Sequence, residues 1–160
     1  MALKLSILFL IAILLVVFSQ DLRKRTIHIV LPIVIFLFGL FINYLSQDLS
    51  FEVIAYNMVF VVINLLGLFI YFSLKSKKFI NPIDTHIGLG DIVFLFALTP
   101  LFQLKGFILF FILGLLFSLL THIVLMFFKQ TKTIPLAGYI SLFLILNLTT
   151  KYFFKINTLF

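Results

Sequence analysis

The chain has no cysteine. That excludes a disulfide framework, a thiolate metal site and a cysteine nucleophile. Histidine is scarce as well. His28, His86 and His122 stand far apart, without the i, i+4 spacing that puts two imidazoles on one helix face, so no metal site is expected. Acidic residues are few: Asp21, Asp48, Glu52, Asp84 and Asp91 are the whole inventory, against twelve Lys and Arg. Internal repeats, low-complexity tracts and long linkers are missing too, so a single domain over residues 1–160 is expected. The apolar stretch 5–18 is preceded only by Lys4 and followed by no small-residue cleavage site. It reads as a retained first span rather than a signal peptide.

What the chain has in abundance is apolar surface. Hydrophobic residues make up 64% of it, 23 of them Phe, and the mean hydropathy is +1.32. A soluble domain of 160 residues cannot hide that much apolar area, so the solvent is the lipid bilayer. A segment in lipid must satisfy its own backbone hydrogen bonds, and these runs are too continuous for barrel strands, which alternate. The expected fold class is all-α, a polytopic membrane protein of about six transmembrane helices. The net charge of +7 does not point to nucleic acid, because the basic residues sit in short clusters between apolar runs, where they set topology and meet anionic headgroups.

Six spans can be drawn, at about 4–20, 26–45, 51–74, 88–102, 106–128 and 134–150. The fourth is short for a span of roughly 20 residues, and Pro100 marks its end. Arg23, Lys24, Arg25, Lys75, Lys77, Lys78, Lys129 and Lys132 fall on one side. Lys4, Lys105, Lys151 and Lys155 fall on the other. The positive-inside rule places the first group in the cytoplasm and both termini outside. The first span then leaves at Asp21 and the fourth begins at Asp91, so both carboxylates lie at the cytoplasmic face. Asp48 and Glu52 lie opposite. Asp84 sits in the polar loop Asn81-Pro82-Ile83-Asp84-Thr85, where a turn role accounts for it. The longest loop, 75–87, lies beside the two aspartates and is placed to gate substrate access.

Ionisable groups at membrane depth are costly and are functional candidates by default. Two carboxylates close together do not both ionise cheaply; one keeps a proton and the pair titrates as a unit. The ionised member takes a proton from water and the protonated member donates to the carbonyl under attack. That is peptide hydrolysis without metal, cofactor or covalent intermediate. In Gly88-Leu89-Gly90-Asp91 the two glycines would let the backbone turn sharply and a strand-like substrate approach, while Asp91 meets the positive end of a helix dipole. Plainer readings exist for each piece. Asp91 can be a helix N-cap, and Asp21 a charged span flank paired with Arg23-Lys24-Arg25. A third segment, Ile134-Pro135-Leu136-Ala137-Gly138-Tyr139, opens the sixth span, with Pro135 in its first turn and small residues that permit close helix approach.

Together, Asp21-Leu22-Arg23-Lys24-Arg25-Thr26-Ile27, Gly88-Leu89-Gly90-Asp91-Ile92 and Ile134-Pro135-Leu136-Ala137-Gly138 resemble the prepilin peptidase family, the type IV leader peptidases of the GxGD aspartyl-protease group. The resemblance covers nearly the whole chain. It implies that Asp21 and Asp91 are catalytic and that the substrates are type IV pilin-like or pseudopilin precursors, cut at the cytoplasmic face of the cell inner (plasma) membrane. Gly88, Gly90, Gln20 and Pro135 are expected around the cleft. The family usually continues its first motif as Ile-Pro-Asn; here Ile27 is followed by His28 and Ile29, with Pro32 downstream. The chain looks like a short, peptidase-only member, without the added cytoplasmic segment linked to N-methylation in larger ones. Self-association is left open. The rival readings are a catalytically silent assembly subunit that binds pilin-like helices and, third, a small transporter or proton channel.

Among the other polar residues, Ser19 and Gln20 are placed to hydrogen-bond the aspartates or simply to end the span. His28 reads as a packing residue one to two turns into the second span. Ser118, Thr121 and His122 read as interhelical hydrogen bonding in the fifth. Asn57 and Asn64, seven apart, are expected to share an inward face of the third.

Overall fold

The computed structural model describes residues 2–46, 50–76, 88–127 and 134–152. They form six α-helices: α1 (Ala2–Lys24), α2 (Val30–Ser46), α3 (Phe51–Ser76), α4 (Leu89–Ala97), α5 (Leu104–Met126) and α6 (Leu136–Tyr152). Among the described residues there is no strand, as a backbone surrounded by lipid requires. Residues 77–87, with Asp84 and His86, lie outside the described residues, as does Asp48.

By length and composition α1, α3 and α5 are able to cross a membrane. The other helices are shorter, at 17 residues for α2 and α6 and nine for α4. The fourth element therefore falls short of a full span, and its cause is local. Pro100 has no N–H to continue the helix, and the chain tightens into a 3₁₀ turn at Thr99–Leu101. The carbonyls freed by that break are taken up by neighbouring helices. The buried Asn57 amide of α3 donates to both Thr99 O and Phe102 O, each at 2.9 Å, and the Asn43 amide of α2 donates to Pro100 O.

Between helices in lipid there is little hydrophobic driving force, so close packing and polar contacts hold the bundle. The helix α6 lies against α1 and α5; α1 also meets α2, and α2 meets α4 and the 3₁₀ turn. Along α1, Ser6 is buried, and so are Ile7, Leu10, Leu14, Val17 and Asp21. Those alternating steps of three and four are a coiled-coil-like seam, and Asp21 occupies its last position. Phenylalanines fill the centre. Phe102 stacks on Phe110 at 4.6 Å between ring centroids, and Phe60 meets Phe111 edge-on at 5.3 Å. Of the Phe residues on α5, Phe107, Phe110 and Phe111 are buried, and Phe117 packs on Phe143.

Three local expectations are corrected. His28 is not inside the second helix: α1 stops at Lys24, Arg25 turns the chain with φ 56°, and α2 begins only at Val30. Asn64 does not share the inward role of Asn57. It is exposed and bonds its own helix at Phe60 O. Among the described residues of α3 the fully buried positions end at Val61. His122 and Ser118 are buried, but His122 Nδ1 and Ser118 Oγ have no hydrogen-bond partner. Thr121 bonds Phe117 O of its own helix, and the interhelical contact of His122 is a ring contact with Tyr139 at 6.4 Å.

Candidate active site

The C-terminal end of α1 and the N-terminal ends of α4 and α6 meet at one end of the bundle. The seam spacing carries Asp21 inward on the last full turn of α1, where it is 4% exposed. On α4, Gly88 is the N-cap and has no side chain to cap the helix. Asp91, the third helical residue, is half-buried. On α6, Pro135 stands just before Leu136 and its carbonyl accepts from Tyr139 N. Proline offers no side-chain acceptor either, so the next free N–H groups of α6 need partners from elsewhere.

The two aspartates supply them. Ala137 N donates to Asp91 Oδ1 at 2.9 Å, and Gly138 N donates to Asp21 Oδ2 at 2.6 Å. Carboxylates from two other helices thus do for α6 what a capping side chain normally does, and they lie where its dipole favours negative charge. Adjacent residues are only about 3.8 Å apart along the chain, so binding neighbouring N–H groups draws the two carboxylates together. The N-terminus of α4 adds a second positive dipole end at Asp91.

Both side chains line one cavity of about 230 Å³, together with Arg25, Thr26, Ile27, Gly88, Leu89 and Gly90. Arg25 stands near enough to interact electrostatically with both carboxylates. Among the described residues no group of three or more His, Asp or Glu gathers. The chemistry available is that of two carboxylates, a guanidinium, the Thr26 hydroxyl and backbone amides.

The glycines act through space rather than through backbone freedom. Gly88 has φ −69° and ψ 139°, an extended conformation open to any residue, and among the described residues no glycine has positive φ. The expected sharp glycine turn is therefore corrected. A Cβ at Gly88 would sit 3.3 Å from Asp91 Oδ2, and one at Gly90 would sit 3.5 Å from Ile27. Of the glycines around the two carboxylates, Gly138 is the tightest: a Cβ there would lie 3.0 Å from Asp21 Oδ2 and 3.3 Å from Asp21 Cβ.

Gln20 and Pro135 do not line the cavity. Gln20 Oε1 accepts from His28 N at 3.2 Å and so ties down the α1–α2 connection. Ser19 bonds Val16 O within its own helix. Pro135 is buried and acts by setting the start of α6. Nothing in the sequence announces the Ala137 and Gly138 amides, which read only as close packing, or Arg25 as a cavity residue, since a topology charge or an ion pair with Asp21 accounts for it.

These features define an all-α integral-membrane protein with a two-carboxylate pocket at one end of its helices. The family model of the type IV leader peptidase family matches residues 8–123, well over half of the chain, and the chain belongs to that family. It is accordingly a membrane protease of leader-bearing, prepilin-like precursors. The matched stretch includes Asp21 and Asp91 and stops before α6. No curated protein and no solved structure matches the chain.

Proposed function

We propose that Asp21 and Asp91 are the catalytic dyad of an aspartic endopeptidase that removes the leader of type IV pilin-like or pseudopilin precursors at the cytoplasmic face of the plasma membrane. One observation carries this reading: two carboxylates 70 positions apart in sequence accept from the adjacent amides Ala137 N and Gly138 N, and both aspartates line a shared cavity. The positive-inside assignment of the connection holding Arg23, Lys24 and Arg25 supports the cytoplasmic orientation.

The dyad holds one proton and the attacking water lies between the carboxyl groups. The ionised aspartate removes a proton from that water as its oxygen adds to the scissile carbonyl carbon. The protonated aspartate gives its proton to the carbonyl oxygen, leaving a neutral gem-diol. Collapse of the gem-diol breaks the C–N bond: the departing nitrogen takes the proton the first aspartate removed, and a gem-diol hydroxyl returns its proton to the second aspartate, so the new carboxyl product forms and the dyad again holds one proton. The hydrogen bonds from α6 fix both carboxylates beforehand, so little reorganisation accompanies the reaction. No cofactor enters this scheme.

The test is co-expression with pilin-like precursors from the same genome. Wild type is expected to remove the leader, while Asp21→Asn and Asp91→Asn, inserted at normal levels, are not. Unchanged processing in the variants would favour the silent assembly subunit, whose support is the His28-Ile29 departure from the family motif.

A further inference from the structure

Arg25 carries two anomalies at once. It is the one non-glycine residue with positive φ among the described residues, at 56°. Its N–H donates to Asp21 O at 3.0 Å, closing the end of α1 in the manner usually given to glycine. A residue with a Cβ is strained there. Its side chain is anomalous as well. It lines the cavity that holds Asp21 and Asp91, yet its Nη1 is shielded from solvent and has no hydrogen-bond partner. The nearby carboxylates are engaged instead by the α6 amides. Strain and an unsatisfied buried donor on one residue at a cavity mark a group held ready for a ligand rather than for the fold.

Resting on the dyad reading above, we infer that Arg25 binds the substrate: its guanidinium turns its unsatisfied donor to a main-chain carbonyl oxygen of the precursor beside the scissile bond. The charges around the cavity select that acceptor. Two carboxyl groups already face the space, so a further anion would be repelled, whereas a carbonyl oxygen accepts a hydrogen bond without adding charge. Every peptide drawn over the dyad presents such an oxygen within a residue of the bond to be cut. The guanidinium fork suits the task, because it offers several fixed donors and never loses its charge.

Three substitutions separate this role from a merely structural one. Arg25→Gly relieves the φ strain and removes the donor, Arg25→Lys keeps the charge that sets topology, and Arg25→Gln keeps a neutral donor. The purified proteins are reconstituted in vesicles and given a pilin-like precursor from the same genome. Loss of a contact made equally to substrate and transition state raises KM and leaves kcat alone. The expected result is a KM increase of about 10-fold or more for Arg25→Gly, less for Arg25→Lys, with kcat within about twofold. Wild-type KM in Arg25→Gly, or a fall in kcat at constant KM in all three, would overturn the proposal.

Binding provides a readout that needs no turnover. In the Asp91→Asn background, fluorescently labelled precursor should bind at least about 10-fold more weakly when Arg25 is also changed to Gly. Equal binding would overturn the proposal. Wild type and Asp21→Asn on the same precursor report on the dyad separately, so the two readings fail by different results. An Arg25 effect found only in vesicles with anionic lipid, and absent in neutral phosphatidylcholine, would assign the guanidinium to lipid phosphate and would also overturn it.

Discussion

Substituting Gly138 by alanine sets two physical effects against each other. Within a helix, Gly→Ala removes backbone entropy from the unfolded chain and stabilises by about 0.5–1 kcal/mol. At this position the new methyl would lie 3.0 Å from Asp21 Oδ2, 3.3 Å from Asp21 Cβ and 3.6 Å from Asp21 Cγ. The Cβ of Asp21 is fixed to the backbone of α1, so rotating the carboxylate alone does not clear the contact. Either the carboxylate turns away from Gly138 N or α1 and α6 part by a few tenths of an ångström, and both lengthen the 2.6 Å bond. Asp91 stays on Ala137 N, so the two carboxyl groups lose their shared frame. A hydrogen bond to a charged group contributes about 1.5–3 kcal/mol, and each 1.4 kcal/mol on the barrier is about tenfold in rate. The expected result is kcat lower by roughly 10- to 100-fold, with membrane levels near wild type and stability lower by no more than about 2 kcal/mol, since the helix gain offsets part of the weakened bond. Gly67→Ala is the matched control, because nothing lies within 4 Å of a Cβ there. The assay is leader removal by purified protein with unfolding followed in the same detergent. Wild-type kcat in Gly138→Ala, or a loss of activity that simply tracks lost protein, would refute the reasoning.

Other substitutions probe the frame around the site. Gly39→Ala places a Cβ 2.8 Å from Pro100 Cγ and 3.3 Å from Leu101 Cγ, and is expected to destabilise by about 1–3 kcal/mol in a detergent melt. Asn57→Leu strips Thr99 O and Phe102 O of their donor and is expected to cost about 1–3 kcal/mol for each carbonyl left bare. Asn64→Leu, exposed and bonded only to its own helix, is expected to leave the melt unchanged. Ser118→Ala removes a buried hydroxyl that has no partner, so its unfolding temperature is expected to equal or exceed that of wild type.

The helices were legible in the sequence because lipid leaves the backbone few choices, and the chain's own punctuation marks most ends: Pro100 closes the fourth element and Pro135 opens the sixth. The meeting of Asp21 and Asp91 was legible from charge and topology together with the family resemblance. Which faces pack was much less so. A soluble helix advertises its core by contrast with a polar face, whereas here the lipid side is equally apolar. The seam Ile7, Leu10, Leu14, Val17 is buried, yet Leu8 and Leu15 beside it are exposed. Asn64 fell to the same ambiguity: it is seven residues from the buried Asn57, yet it is exposed. Arg25 was hidden for another reason. One of three consecutive basic residues after a span explains itself as a topology signal, and nothing in its identity announces a positive φ. Gly138 read as a packing glycine; only the position of Asp21 makes it part of the site.

The central claim is that Asp21 and Asp91 act as one catalytic unit, and a double-mutant comparison tests it most directly. Leader removal from a purified pilin-like precursor would be timed for wild type, Asp21→Asn, Asp91→Asn and the double variant, each shown to be folded and inserted. Residues that act as a unit are strongly non-additive. The prediction is that each single variant loses about 10³-fold or more and that the double variant loses no more than the singles. Processing retained by either single variant, or losses that multiply in the double, would contradict the dyad.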